Sequence, residues 1–80
     1  MANLPLTTIE KALIRQIHVE ILAYGIELDE AISNLENAQS IDEQERYLGL
    51  ALTKSTAIRD RSETRNQTIK KGIDRLLNCI

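Results

Sequence analysis

The sequence predicts an all-α chain, two long helices folded into an antiparallel hairpin. Three observations carry this expectation. Breakers are few, with one Pro and three Gly in 80 residues. The apolar bulk is aliphatic: eleven Ile, eleven Leu and seven Ala, against two Tyr and no Phe or Trp. Together with the many Glu, Gln, Lys and Arg, these are helix-forming side chains. Two capping signatures, one near the start and one near residue 40, each open an apolar period of helical type, and no β-type alternation competes.

Met1 to Leu6 form a short lead containing the proline, Pro5. Thr7-Thr8-Ile9-Glu10 reads as a capping box, in which a Thr hydroxyl accepts an amide three residues on and Glu10 reaches back. Asn37-Ala38-Gln39-Ser40 is the best turn. Ser40-Ile41-Asp42-Glu43 is a second box, and Asp42, Glu43 and Glu45 then lie where the helix dipole favours acids. Helix 1 is therefore placed at about 8–37 and helix 2 at about 41–77. So short a connection makes the two helices antiparallel neighbours within a single domain, 1–80.

Projection at about 100° per residue tests each helix. In helix 1, Leu13, Ile14, Ile17, Ile21, Tyr24, Leu28, Ala31, Ile32 and Leu35 share a stripe. In helix 2 the stripe is Tyr47, Ala51, Ile58, Ile69, Ile73, Leu76 and Ile80. The eleven-residue spacing of Tyr47, Ile58, Ile69 and Ile80 predicts nearly straight packing rather than a strict heptad.

The stripes are unequal. Residues 59–68 contain no apolar side chain, offering the core Ser62 with Asn66 at its edge. In a hairpin this window faces the apolar stretch holding Leu13, Ile14 and Ile17. Three explanations are open: a small-into-large fit helped by Ser55 and Ser62, completion of the core by a second chain, or a break near Asp60 to Ser62 giving three helices. Val19, Leu22, Ala23 and Ile26 form a further patch, roughly opposite the main stripe of helix 1. A two-helix hairpin cannot bury both sides of one helix, so the patch predicts an external contact. Two hairpins joined in a four-helix bundle, or packing on a partner helix, would supply it.

Charge is unevenly placed. Residues 1–53 carry nine acids and three bases, and residues 54–80 three acids and seven bases. The halves of a hairpin would attract each other. Lys54, Arg61, Arg65 and Arg75 project within one band of helix 2. They are expected either as a flank paired with helix 1 acids or as a stripe for phosphates or an acidic protein. The net charge of −2 and the scarcity of aromatic rings weigh against nucleic acid.

No chemistry-bearing constellation is present. His18 is the single histidine and lies off the core stripe. There is no inward Glu-x-x-His pair, glycine-rich phosphate loop or Cys/His cluster. A lone cysteine, Cys79, fits a reducing cytoplasm. The lead has no basic segment followed by an apolar core, and the run from Ile21 to Ile26 is too short to span a bilayer. No catalytic, metal or cofactor residue, small-molecule substrate or membrane partner is expected.

The hairpin layout, over the whole chain, resembles the plasmid copy-number regulator Rop, a dimer of helical hairpins that binds RNA. It is also similar to the small hairpin chaperones of type III secretion needle subunits. The first expectation is a non-enzymatic protein-interaction module, an adaptor, chaperone or regulator. Leu13, Ile14 and Ile17 would complete a core with another chain, in a homodimer or a hetero-complex, and Val19, Leu22 and Ile26 would form the exposed contact. The second is a nucleic-acid-binding hairpin using Lys54, Arg61, Arg65 and Arg75.

Overall fold

The Thr7 hydroxyl accepts the Glu10 amide at 3.1 Å, and the Glu10 carboxylate accepts the Thr7 amide at 3.0 Å. This reciprocal box starts α1, Thr8–Asn37. The computed structural model describes residues 4–78. Ala38 leaves the helix in an extended conformation, its amide still bonded to Leu35 O at 3.2 Å. Ser40 then caps α2, Ile41–Asn78, by accepting the Glu43 amide at 3.1 Å. The second box differs from the expected form. Glu43 reaches one residue further back, to the Gln39 amide at 3.2 Å, so it braces the turn as well as the cap. α2 runs unbroken through residues 59–68, which removes the three-helix alternative.

The two helices lie side by side in a rod of 63 × 17 × 13 Å. Their register is read from cross-helix contacts: Glu27 meets Lys54, Glu20 meets Arg61, His18 meets Arg65 and Glu10 meets Arg75. α2 is the longer helix, at 38 residues against 30. The lead folds back along the C-terminal part of α2, beside the first turns of α1. Arg75 Nη1 donates to Pro5 O at 3.2 Å, and Leu6 lies against Gly72.

The α1 side of the seam follows a seven-residue repeat. On α1 the buried and half-buried residues Glu10, Ile14, Ile17, Ile21, Tyr24, Leu28, Ala31 and Leu35 follow one another in alternating steps of four and three. On α2 the seam holds Tyr47, Ala51, Lys54, Ile58, Ser62, Arg65, Thr68 and Gly72. This corrects the eleven-residue reading. Two helices in lasting contact keep about 3.5 residues per seam step, and an eleven-residue stride overshoots three such steps by about half a residue. Tyr47 and Ile58 sit on the seam, but Ile69 has rotated off it. Ile80, like Cys79, lies outside the described residues. The predicted core residues Ile69, Ile73 and Leu76 are 39%, 53% and 53% exposed, while Thr68 and Gly72 are buried in their place.

The α1 stripe holds, apart from Leu13 and Ile32 at its margins, which are exposed. The fully buried apolar core among the described residues is small: Ile17 at 3% and Ala31 at 4% exposure. Ile17 thus needs no second chain. It stands level with Arg65, which is half-buried and reaches His18. From the polar window, Ser62 and Arg65 are half-buried and Thr68 is buried.

Candidate protein-binding face

The back of α1 carries the clearest unfilled surface. Val19, Leu22 and Ile26 are 54%, 57% and 66% exposed, and Ala23 between them is exposed too. Helix geometry fixes this placement. The seam of α1 is filled at positions 17, 21, 24 and 28, and residues 19, 22, 23 and 26 fall on the opposite half-turn. α2 cannot reach them. Of the other residues expected at an interface, Leu13 is 41% exposed beside the seam, Ile14 is half-buried and Ile17 is closed off inside the hairpin. Leu13 and the back patch lie on different flanks, so they do not form one surface.

A second apolar surface was not expected. Leu4, Pro5 and Leu6 of the lead meet Ile69, Ile73 and Leu76 of α2 in an open groove at the end of the rod. Projection had assigned the three α2 residues to the hairpin core. Their exposure follows from the seven-residue seam, and no local sequence signal gives the path of the lead.

The four cations of the basic band run along the seam. Lys54 Nζ lies 2.7 Å from Glu27 Oε2 and over the Tyr24 ring, 5.5 Å from its centroid. The hydrogen bond to Glu27 holds its ammonium above the ordinary value. Arg61 Nε lies 3.2 Å from Glu20 Oε2, an ion pair without an aligned hydrogen bond, since that oxygen is shielded and accepts none. Arg75 Nη1 lies 2.5 Å from Glu10 Oε1. The hydrogen bond from Arg75, followed by that from the Thr7 amide, holds the Glu10 carboxyl at about 2, below its ordinary 4.5. Arg65 Nη1 lies 3.3 Å from His18 Nδ1. Each cation is engaged by its own chain, as the expectation of a flank paired to helix 1 describes.

The chain matches no protein-family model, curated protein or solved structure. Among the described residues no group of three His, Cys, Asp or Glu side chains is placed to hold a metal ion, and no helix is long and apolar enough to cross a membrane. The largest unsatisfied feature is the apolar area that two helices leave open.

Proposed function

We propose that the chain is a non-enzymatic protein-interaction module, a small adaptor, chaperone or regulator that uses α1 to bind another protein chain. One observation carries the reading: Val19, Leu22, Ala23 and Ile26 stand exposed together on the side of α1 that α2 cannot cover. Scattered apolar residues on a surface are ordinary, but a contiguous patch on a small domain is characteristic of an interface. The reading implies a cytoplasmic protein with no cofactor. Its test is the mass of the chain alone and of the complexes it forms in its native extract. Leu22→Asp and Ile26→Asp should abolish association while helix content is kept. If both variants retain every association of the wild type, the patch is not the binding face and the reading fails.

A nucleic-acid reading has one observation in its favour. Lys11, Arg15 and Arg65, with His18 between them, surround an open groove floored by Ile14 and Ile69, three cations around apolar surface. It ranks second because Lys54, Arg61 and Arg75 already hold carboxylates of α1. A salt-sensitive gel shift abolished by Arg61→Ala with Arg65→Ala would favour it, and absence of a shift at low salt would remove it.

A further inference from the structure

The back of α1 is self-complementary about its own centre. The exposed stripe runs Ala12, Arg15, Val19, Leu22 with Ala23, Ile26, and Asp29 with Glu30. Val19 and Ile26 lie three and four residues either side of Leu22, and Arg15 and Asp29 lie seven residues either side of it. One end is basic and the other acidic. Arg15 and Asp29 are both exposed, and neither has an ion-pair partner among the described residues.

These relations favour one occupant and one orientation. We infer that the stripe binds a second copy of this chain, antiparallel, with the two-fold axis passing beside Leu22. The inference rests on the interaction-module reading and names its partner. In this arrangement Leu22 packs on Leu22 of the second copy, Val19 on Ile26, and Arg15 faces Asp29, each contact occurring twice by symmetry. A parallel pairing would set Arg15 against Arg15 and the acids against one another. An unrelated partner would leave the internal symmetry of the stripe without a cause.

The rod exposes 6359 Å² against roughly 4,900 Å² for a compact monomer of 9.1 kDa, so its long flank has room for the ~800 Å² that each partner gives to an interface of standard size. The exposed alanines, Ala12 and Ala23, let two helix backbones approach closely along the stripe.

The experiment uses the full 80-residue chain. Sedimentation equilibrium over a wide concentration range should give a dimer. Arg15→Asp and Asp29→Arg should each weaken dimerisation by about tenfold, through two lost attractions and two new repulsions. Arg15→Asp combined with Asp29→Arg should recover most of the affinity. In a Cys79→Ser background, Leu22→Cys should form an inter-chain disulfide under mild oxidation. Ala12→Cys should not, because antiparallel pairing holds the two copies of residue 12 about 30 Å apart. A monomer at every concentration overturns the second-copy inference. So does a dimer in which Ala12→Cys cross-links and Leu22→Cys does not. The broader reading fails on a different result, the indifference of every association to Leu22→Asp and Ile26→Asp. A wild-type monomer whose partner complexes are lost in those variants would therefore sink the dimer and leave the module standing.

Discussion

Leu6 closes on Gly72: a Cβ placed on Gly72 would stand 2.9 Å from Leu6 Cγ and 3.0 Å from Leu6 Cδ2. The contact docks the lead onto the C-terminal part of α2 and makes this glycine different from Gly49, which has nothing within 4 Å. A glycine inside a helix costs roughly 0.5–1 kcal/mol relative to alanine. Gly49→Ala should therefore raise the unfolding free energy by about that amount. Gly72→Ala should gain less, because Leu6 must move aside, and being on the non-helical lead it moves more readily than α2. Urea titration of both variants gives the comparison, and amide exchange at Thr7 reports release of the lead. Equal gains would mean that Leu6 does not rest on Gly72.

The Glu10–Arg75 pair predicts a pH dependence. Glu10 titrates at about 2 in the folded chain against an ordinary 4.5, so folding disfavours its protonation. The stabilisation is complete above about pH 4.5, shrinks as pH falls through that interval, and is lost below about pH 2. The chain has other carboxylates, so the useful quantity is a difference. The midpoint of wild type minus that of Glu10→Gln should be positive near neutrality and decline toward zero in acid. A difference independent of pH would show that Glu10 acts only through its shape.

The ends of both helices are legible because capping is local chemistry: Thr7 with Glu10 and Ser40 with Glu43 lie three residues apart. The α1 seam is legible because Ile14, Ile17, Ile21 and Leu28 are apolar. The α2 seam is not, since Lys54, Ser62, Arg65, Thr68 and Gly72 score as polar or neutral in any projection by hydrophobicity. Its signal is positional instead. Tyr47, Lys54, Arg61, Thr68 and Arg75 recur every seven residues, and three of them oppose α1 acids spaced to receive them. The back patch was readable from one helix alone, because residues opposite a filled seam have nowhere else to point. Ile17 is 3% exposed within the hairpin although the window it faces holds no apolar side chain, a closure that a hydrophobic projection does not register. The seat of Leu6 depends on the path of the lead, which no local pattern states.

The seam cations should contribute specificity more than stability. The Lys54 and Glu27 side chains are 28% and 49% exposed, and pairs in such positions are worth about 0.2–1 kcal/mol. Lys54→Met keeps an unbranched stem on the seam and leaves Glu27 free to hydrate. It should change the unfolding free energy by less than about 1 kcal/mol at low salt and reduce the loss of stability on adding salt. Thermal melts of wild type and variant at two ionic strengths measure both. A large destabilisation would place the ammonium deeper than its exposure indicates.

Ile17 and Leu22 divide one helix between two tasks, and truncating each should separate them. Ile17 is 3% exposed, the more buried of the two buried apolar residues among those described. Ile17→Ala removes three carbons from a site walled by α2, and such truncations cost about 2–5 kcal/mol. A domain of this size has a total stability of roughly 5–10 kcal/mol, so the variant should lose a large part of its cooperative transition. Leu22 is 57% exposed and faces away from α2, so Leu22→Ala should leave the helical signal intact. Its effect should appear in the concentration dependence of the melting midpoint, because a midpoint that rises with protein concentration reports association. Circular dichroism melts at several concentrations read both quantities. If Ile17→Ala melts no earlier than Leu22→Ala, then α2 does not cover Ile17 and the seam runs along another face of α1.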